Sequence, residues 1–116
     1  MNIIISATSD LLTDQRVNRT ASALKESGHK VLVIGRRLKG SRALPSRRYR
    51  SVRFNMLFQR GPLFYVFFNL RLAWYLLWKK TDVLYSNDLD TLPANFLVSK
   101  IKRLPLIYDS HEYFTG

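Results

Sequence analysis

Two short apolar runs in this chain end in the same way, and that repetition restricts the fold more than any other feature. Leu106-Ile107-Tyr108, set off by Pro105, stops abruptly at Asp109, Ser110, His111 and Glu112. Asp82-Val83-Leu84-Tyr85 runs into Ser86, Asn87, Asp88, Leu89 and Asp90. A bounded apolar run of this length suits a strand buried on both faces. Polar groups just past the carboxyl end of such a strand stand where open α/β sheets hold their ligands. Two strands that release titratable groups at one edge predict a single cleft between them.

The rest of the chain supplies the partners that such strands need. Asn2 to Ala7 reads as a central buried strand, followed by a loop over Ser6 to Leu12. A helix is expected from Asp14 to about Ser27, with Thr13 as its N-cap and Asp14 favourable in the first turn. Val17, Ala21 and Leu24 share one of its faces, and Gly28 suits the position just past its end. His29-Lys30 then enters Val31-Leu32-Val33-Ile34, a buried strand closed by Gly35, with His29 at the surface. Strand, helix and strand with short connections make a right-handed βαβ unit.

Tyr49 to Leu57 alternates, with Val52, Phe54 and Met56 on one side and Arg53 and Asn55 on the other. That pattern fits an edge or half-exposed strand. Gly61-Pro62 opens a second helix, Leu63 to Lys80, which is apolar nearly all round and interrupted only by Asn69 and Arg71. One face can pack on a sheet; the other has no evident cover. The stretch is short of the roughly 20 residues that cross a bilayer, and Arg71 sits in its middle, which disfavours a membrane span. Trp and Tyr beside Lys79-Lys80 suit a membrane interface or packing against another domain. A short helix over Leu92 to Lys102 follows, with Pro93 near its start and Lys100, Lys102 and Arg103 at its end.

Several function classes are disfavoured. The loop after the first strand has no glycine, against a dinucleotide fingerprint, and no phosphate-binding Walker loop occurs. No pair of histidines is spaced for a metal and cysteine is absent, so no protein-held metal is expected. Met1-Asn2 leads straight into Ile3-Ile4-Ile5, which is not the pattern of a secretory leader. The formal charge is +11, and eight cations between Arg36 and Arg53 account for most of it. A solubilising loop explains them, as does an anionic membrane or a phosphate-bearing substrate. Nucleic acid is disfavoured, because no recognised motif and little aromatic interleaving accompany the charge.

Among candidate site residues, His111 leads. A histidine just past a central strand can hydrogen-bond a substrate hydroxyl or share a proton with Glu112 or Asp109; the alternative is a structural histidine bonded to backbone. Arg16 and Arg19 oppose the dipole at the start of the first helix and, with its free N–H groups, can form an anion site; the alternative is pairing with Asp10 and Asp14, or solvent. Asp88 and Asp90 can accept sugar or ribose hydroxyls, and Asp90 is equally placed to cap the following helix.

In this order and spacing, Ile3–Ala7, Asp14-Gln15-Arg16-Val17, Gly28-His29-Lys30-Val31-Leu32-Val33, Ser86-Asn87-Asp88 and Tyr108-Asp109-Ser110-His111-Glu112 resemble the amino-terminal domain of group 1 glycosyltransferases of the GT-B fold. The resemblance covers essentially the whole chain. It implies an α/β, Rossmann-like three-layer sandwich with a parallel sheet in the order 3-2-1-4-5. Residues 1–116 would be the acceptor-binding half, truncated before a donor-binding domain that the chain lacks and therefore inactive alone. The parent would move a sugar from a nucleotide-sugar, a co-substrate held mainly by the second domain, to a glycan or lipid-linked acceptor. It would retain anomeric configuration and use no metal or other cofactor. His111 would lie at the reaction centre. Thr8, Asp14, Gln15, Arg16, Asn87, Asp88, Asp90 and Glu112 would contact substrate. Many members carry a Gly-Gly pair in the first turn, where this chain has Asp10-Leu11-Leu12-Thr13-Asp14. A cytoplasmic protein, peripheral on the inner membrane through the basic loop and the Leu63–Lys80 helix, is the matching location. The other reading is a non-catalytic basic α/β module that binds anionic lipid or polymer.

Overall fold

Five parallel strands pair into one sheet: β1 (Asn2–Asp10), β2 (Lys30–Arg37), β3 (Arg50–Asn55), β4 (Val83–Ser86) and β5 (Leu106–Tyr108). The computed structural model describes residues 1–10, 15–37, 49–55, 61–87 and 89–108. The strand order is β3-β2-β1-β4-β5, as the resemblance implied. Helix α1 (Gln15–Glu26) covers one face, and α2 (Gly61–Trp78) with α3 (Leu92–Lys102) covers the other. The result is the three-layer Rossmann-like sandwich expected.

Alternation along β1 divides the core. Ile3, Ile5 and Ala7 pack under α1 with Val17, Ala21, Val31 and Val33. Ile4 faces the other way, into Ile34, Phe54, Leu84 and the helices above them. The helical spacing of Val17, Ala21 and Leu24 does seat α1, with Leu24 partly buried. Thr13 and Asp14, the expected cap, lie outside the described residues.

Three strand expectations need correction. β1 does not end at Ala7 but runs to Asp10, and β2 passes Gly35 to Arg37. After an irregularity beyond Ser6, pairing resumes at Asp10 opposite Arg36. Ladder hydrogen bonds join backbone groups and are indifferent to side-chain polarity, so pairing outlasts the apolar run. β5 is not buried on both faces: Ile107 is 48% exposed. As the last strand of the described sheet, β5 has α3 on one side and no described helix on the other. β3 is the opposite edge, as its alternation required, with Phe54 buried and Arg53 half-buried. His29, placed at the surface by sequence, is half-buried, and its Nδ1 has no partner among the described residues.

α2 starts at Gly61 rather than Leu63, and Pro62 sits in the first turn, where its missing N–H costs nothing. It ends at Trp78 rather than Lys80. There the Lys102 ammonium of α3 donates to the carbonyls of Leu76 and Lys79, at 3.0 and 2.7 Å. The fully buried side chains are Phe64, Phe68, Leu72 and Leu76, one stripe at four-residue spacing. Arg71, the mid-helix charge, lies over the Phe54 ring at 4.5 Å.

Two helix ends close through left-handed residues with opposite chemistry. Gly28 has φ +94°, and the flanking bonds Gly28 N–H to Lys25 O and His29 N–H to Leu24 O complete the closure of α1. Arg103, with φ 55°, does the same for α3, where Leu104 N–H donates to Ser99 O at 3.0 Å. A side chain in this region costs roughly 1–2 kcal/mol. Glycine offsets part of that relief through its freer unfolded chain. Arg103→Gly is therefore expected to raise the urea midpoint by about 0.5 kcal/mol equivalent, and Gly28→Ala to lower it by about 1 kcal/mol. A Cβ at Gly28 would meet nothing within 4 Å, so only backbone strain is at issue there.

Candidate functional site

The carboxyl ends of β1 and β4, with the short 3-10 turn Leu89–Thr91 before α3, bring polar side chains from distant parts of the chain together. Thr8, at the end of β1, donates from Oγ1 to Asp90 Oδ2 at 3.5 Å. Ser86 Oγ and Thr91 Oγ1 are 2.7 Å apart. Thr91 Oγ1 also donates to Ser6 O at 3.4 Å, and the same carbonyl accepts from Asn87 N–H at 2.9 Å. Thr8, within the last residues of β1, and Asn87 and Asp90, just past β4, thus share one edge.

Asp90, which the sequence placed well to cap α3, lies one residue before the N-cap position. Thr91 is the N-cap and makes no side-chain cap bond. The work falls to Asn69 of α2. Its Oδ1 accepts from Ala94 N–H at 3.1 Å. Its Nδ2 donates to Asp90 O at 2.8 Å and to Tyr65 O at 2.9 Å. One amide therefore ties α2 to the entry of α3 and leaves the Asp90 carboxylate directed to Thr8. An acid here is also favoured by the positive end of α3.

Sequence reading missed the buried half of this site. Thr91 and Asn95 are fully buried, Asn95 Nδ2 donates to Thr91 O at 2.9 Å, and Ser6 Oγ and Asn95 Oδ1 have no partner among the described residues. Buried polar atoms of this kind are rare enough to mark a specialised region. The available signal was the run of Ser, Thr and Asn at the ends of otherwise apolar strands.

The other predicted residues divide. Arg16 stands exposed in the first turn of α1, which rises from the same edge on the α1 side of the sheet. Gln15 opens that helix. Asp14, Asp88, His111 and Glu112 lie outside the described residues, as do Lys39, Arg42, Arg47 and Arg48 of the basic loop. Among the described residues, no three His, Cys, Asp or Glu side chains gather as a metal site. What the edge leaves partly accessible is the Thr8 hydroxyl and the Asp90 carboxylate, above buried Ser86, Asn87 and Thr91; a hydroxyl and a carboxylate together can hydrogen-bond a polyol.

The outward face of α2 is a second feature. Leu63, Val66, Leu70, Trp74 and Trp78 are exposed; Trp74 is 66% and Trp78 75% accessible, with rings edge to face at 5.7 Å. A groove of about 420 Å³ runs between α2 and α3, lined by Tyr65, Leu70, Pro93 and Leu97 among others. Among the described residues, no helix is long and apolar enough to cross a membrane.

Comparison with known proteins gives one family and one fold. The family model described as Glycosyltransferase Family 4 matches residues 14–115. No curated protein matches the sequence. Among solved structures, the chain is similar to the C-terminal domain of a hydrogenase from Pyrococcus furiosus, at 15% identity and TM-score 0.67, covering 93% of this chain and 89% of that one. It is similar to MurG from Acinetobacter baumannii, at 12% identity and TM-score 0.58, covering 92% of this chain and 33% of MurG. It is also similar to the UDP-GlcNAc 2-epimerase from Methanocaldococcus jannaschii, at 16% identity and TM-score 0.50, with 92% and 30% covered. At such identities the likeness is one of fold. The chain spans about a third of the length of MurG and of the epimerase.

Proposed function

The chain belongs to Glycosyltransferase Family 4, and from that premise we propose that it is the acceptor-side half of an enzyme that transfers a sugar from a nucleotide-sugar to a glycan or a lipid-linked acceptor. The observation that supports this most is the carboxyl-edge cluster. Thr8, Asn87 and Asp90 converge from two strands and a turn on the edge where open α/β sheets bind their substrates. The partly accessible Thr8 hydroxyl and Asp90 carboxylate there can donate to and accept from sugar hydroxyls.

In this reading the transferred sugar lies between the edge and a second, donor-binding domain of the parent protein. His111, three residues past β5, hydrogen-bonds that sugar near the bond being broken. Arg16 holds an anionic group of donor or acceptor at the start of α1, where the helix dipole adds to its charge. Asp14, Gln15, Asp88 and Glu112 complete the acceptor contacts, and transfer retains configuration without a metal. His111→Ala in the parent protein is expected to lower turnover about a hundredfold or more, with an unchanged unfolding midpoint. Turnover within twofold of the original would remove His111 from the reaction.

Membrane contact is the second part of the proposal. Exposed Trp74 and Trp78 end α2 beside Lys79 and Lys80, and a chain of +11 is attracted to an anionic leaflet. The enzyme then works as a peripheral protein on the cytoplasmic leaflet. Sedimentation with phosphatidylglycerol vesicles should retain the chain at low salt, release it at high salt, and lose most of the binding in Trp74→Ser/Trp78→Ser. Salt-insensitive or absent binding would refute the contact. Vesicle binding by the chain with no sugar transfer by the parent protein would favour the non-catalytic basic module instead.

A further inference from the structure

The amino edge of the sheet, opposite the transfer edge, carries a cleft of about 510 Å³ at the starts of β1, β2 and β3 and the ends of α1 and α2. Five cationic side chains line it: Lys25, Lys30, Arg50, Lys79 and Lys80, all exposed, around the buried ring of Tyr49. Among the described residues, no carboxylate lines it and none of the five forms an ion pair.

Helix capping accounts for only part of this charge. A helix carboxyl end carries about half a negative charge, and α1 and α2 both end here. Lys102 already serves the last carbonyls of α2. Among the described residues, the acids of this edge are Asp82, which accepts from Asn2 N–H at 2.7 Å, and Glu26, next to Lys25. Two helix ends and two carboxylates balance about three of the five positive charges. About two remain, in a concave site with an apolar floor, where field is focused rather than dispersed. A phosphate group near neutral pH carries about −1.5 to −2.

We propose that this cleft is an anion site for a phosphate-bearing ligand, distinct from the transfer edge and independent of the sugar-transfer reading. Lys30 and Arg50 approach from neighbouring strands, Lys79 and Lys80 from the end of α2, and Lys25 from the end of α1. They surround the group with donors from three sides of the cleft. The phosphate is either free in solution or carried on a lipid headgroup at the membrane surface.

The test titrates inorganic pyrophosphate and phosphatidylglycerol vesicles separately into the chain at low salt. Lys30→Gln/Arg50→Gln is compared with Lys100→Gln/Arg103→Gln, which removes the same charge from α3. Pyrophosphate is expected to bind and to weaken roughly tenfold or more in the first pair, against less than twofold in the second. Vesicle binding without pyrophosphate binding, lost only in the first pair, also supports the site and assigns the phosphate to lipid. Equal loss in both pairs, or no binding of either probe, overturns the proposal. Lys25→Gln/Lys80→Gln, on the helix ends, repeats the measurement without touching a strand. None of these positions lies at the carboxyl edge, so failure here and failure of sugar transfer are separable.

Discussion

Phe68→Ala is expected to lower the folding stability of this chain by about 3–5 kcal/mol, a large share of the 5–15 kcal/mol typical of a domain. Phe68 is fully buried, with its ring 5.5 Å from Phe64 and 5.8 Å from Phe54. Truncation removes the transfer energy of the ring and leaves a cavity between α2 and the sheet that rigid neighbours cannot fill. The neighbouring Phe67→Ala is the control. Phe67 is 45% exposed on the other face, so its loss should cost under about 1 kcal/mol. The contrast matters because α2 is apolar nearly all round and its composition gives no reason to prefer one face. Urea midpoints read by circular dichroism decide the matter, and Phe68→Leu should fall between the two. Equal costs for Phe67→Ala and Phe68→Ala would mean that α2 is turned differently on the sheet.

The second large effect runs against sequence intuition. Asn69→Leu replaces a poor helix former by a good one inside an apolar helix, so propensity alone favours it by about 0.5 kcal/mol. The structure predicts the opposite: a loss of about 2–3 kcal/mol. The Asn69 amide supplies the acceptor for Ala94 N–H and a donor for Asp90 O, both partly buried. Removing it strands those two backbone groups, and each unsatisfied group costs about 1–3 kcal/mol. Asn69→Asp should be milder, because a carboxylate still accepts from Ala94 N–H and favours the positive end of α3, while losing the bond to Asp90 O. Amide exchange at Ala94 should quicken in the leucine variant and stay slow in the aspartate one. A stabilised leucine variant would show that the interhelical cap contributes nothing. Because Asp90 lies in the turn that Asn69 holds, the same change should loosen the Thr8–Asp90 pair.

Within the site, the sequence located the edge but only some of its groups. Thr8, Asn87 and Asp90 follow the apolar runs of two central strands, and the end of such a run is legible in sequence. Their mutual contact was not legible, since Thr8 and Asp90 lie 82 residues apart. Thr91, Asn95 and Ser6 escaped notice because nothing local distinguishes a buried hydroxyl or amide from a surface one. Asp90 was left between two roles, a sugar contact and a helix cap, for a related reason. Local sequence supplies a capping candidate on the same segment, while the actual cap came from another helix.

The amino-acid sequence by itself determined the elements that local periodicity and backbone sterics control. The short apolar runs became β strands, the spacing of Val17, Ala21 and Leu24 fixed the inner face of α1, alternation marked β3 as an edge, and Gly28 ended α1 at a positive φ. These depend on contacts between residues near one another in the chain. Tertiary structure alone decided which face of α2 is buried, how far β1 and β2 extend past their apolar runs, and that Ile107 stays half open at the sheet edge. It also decided that Asn69 starts α3 and that Lys25, Lys30, Arg50, Lys79 and Lys80 meet around one cleft. An all-apolar helix is oriented by shape fit rather than by its own pattern. A cap or a charge cluster assembled from distant segments exists only once the sheet has brought them together.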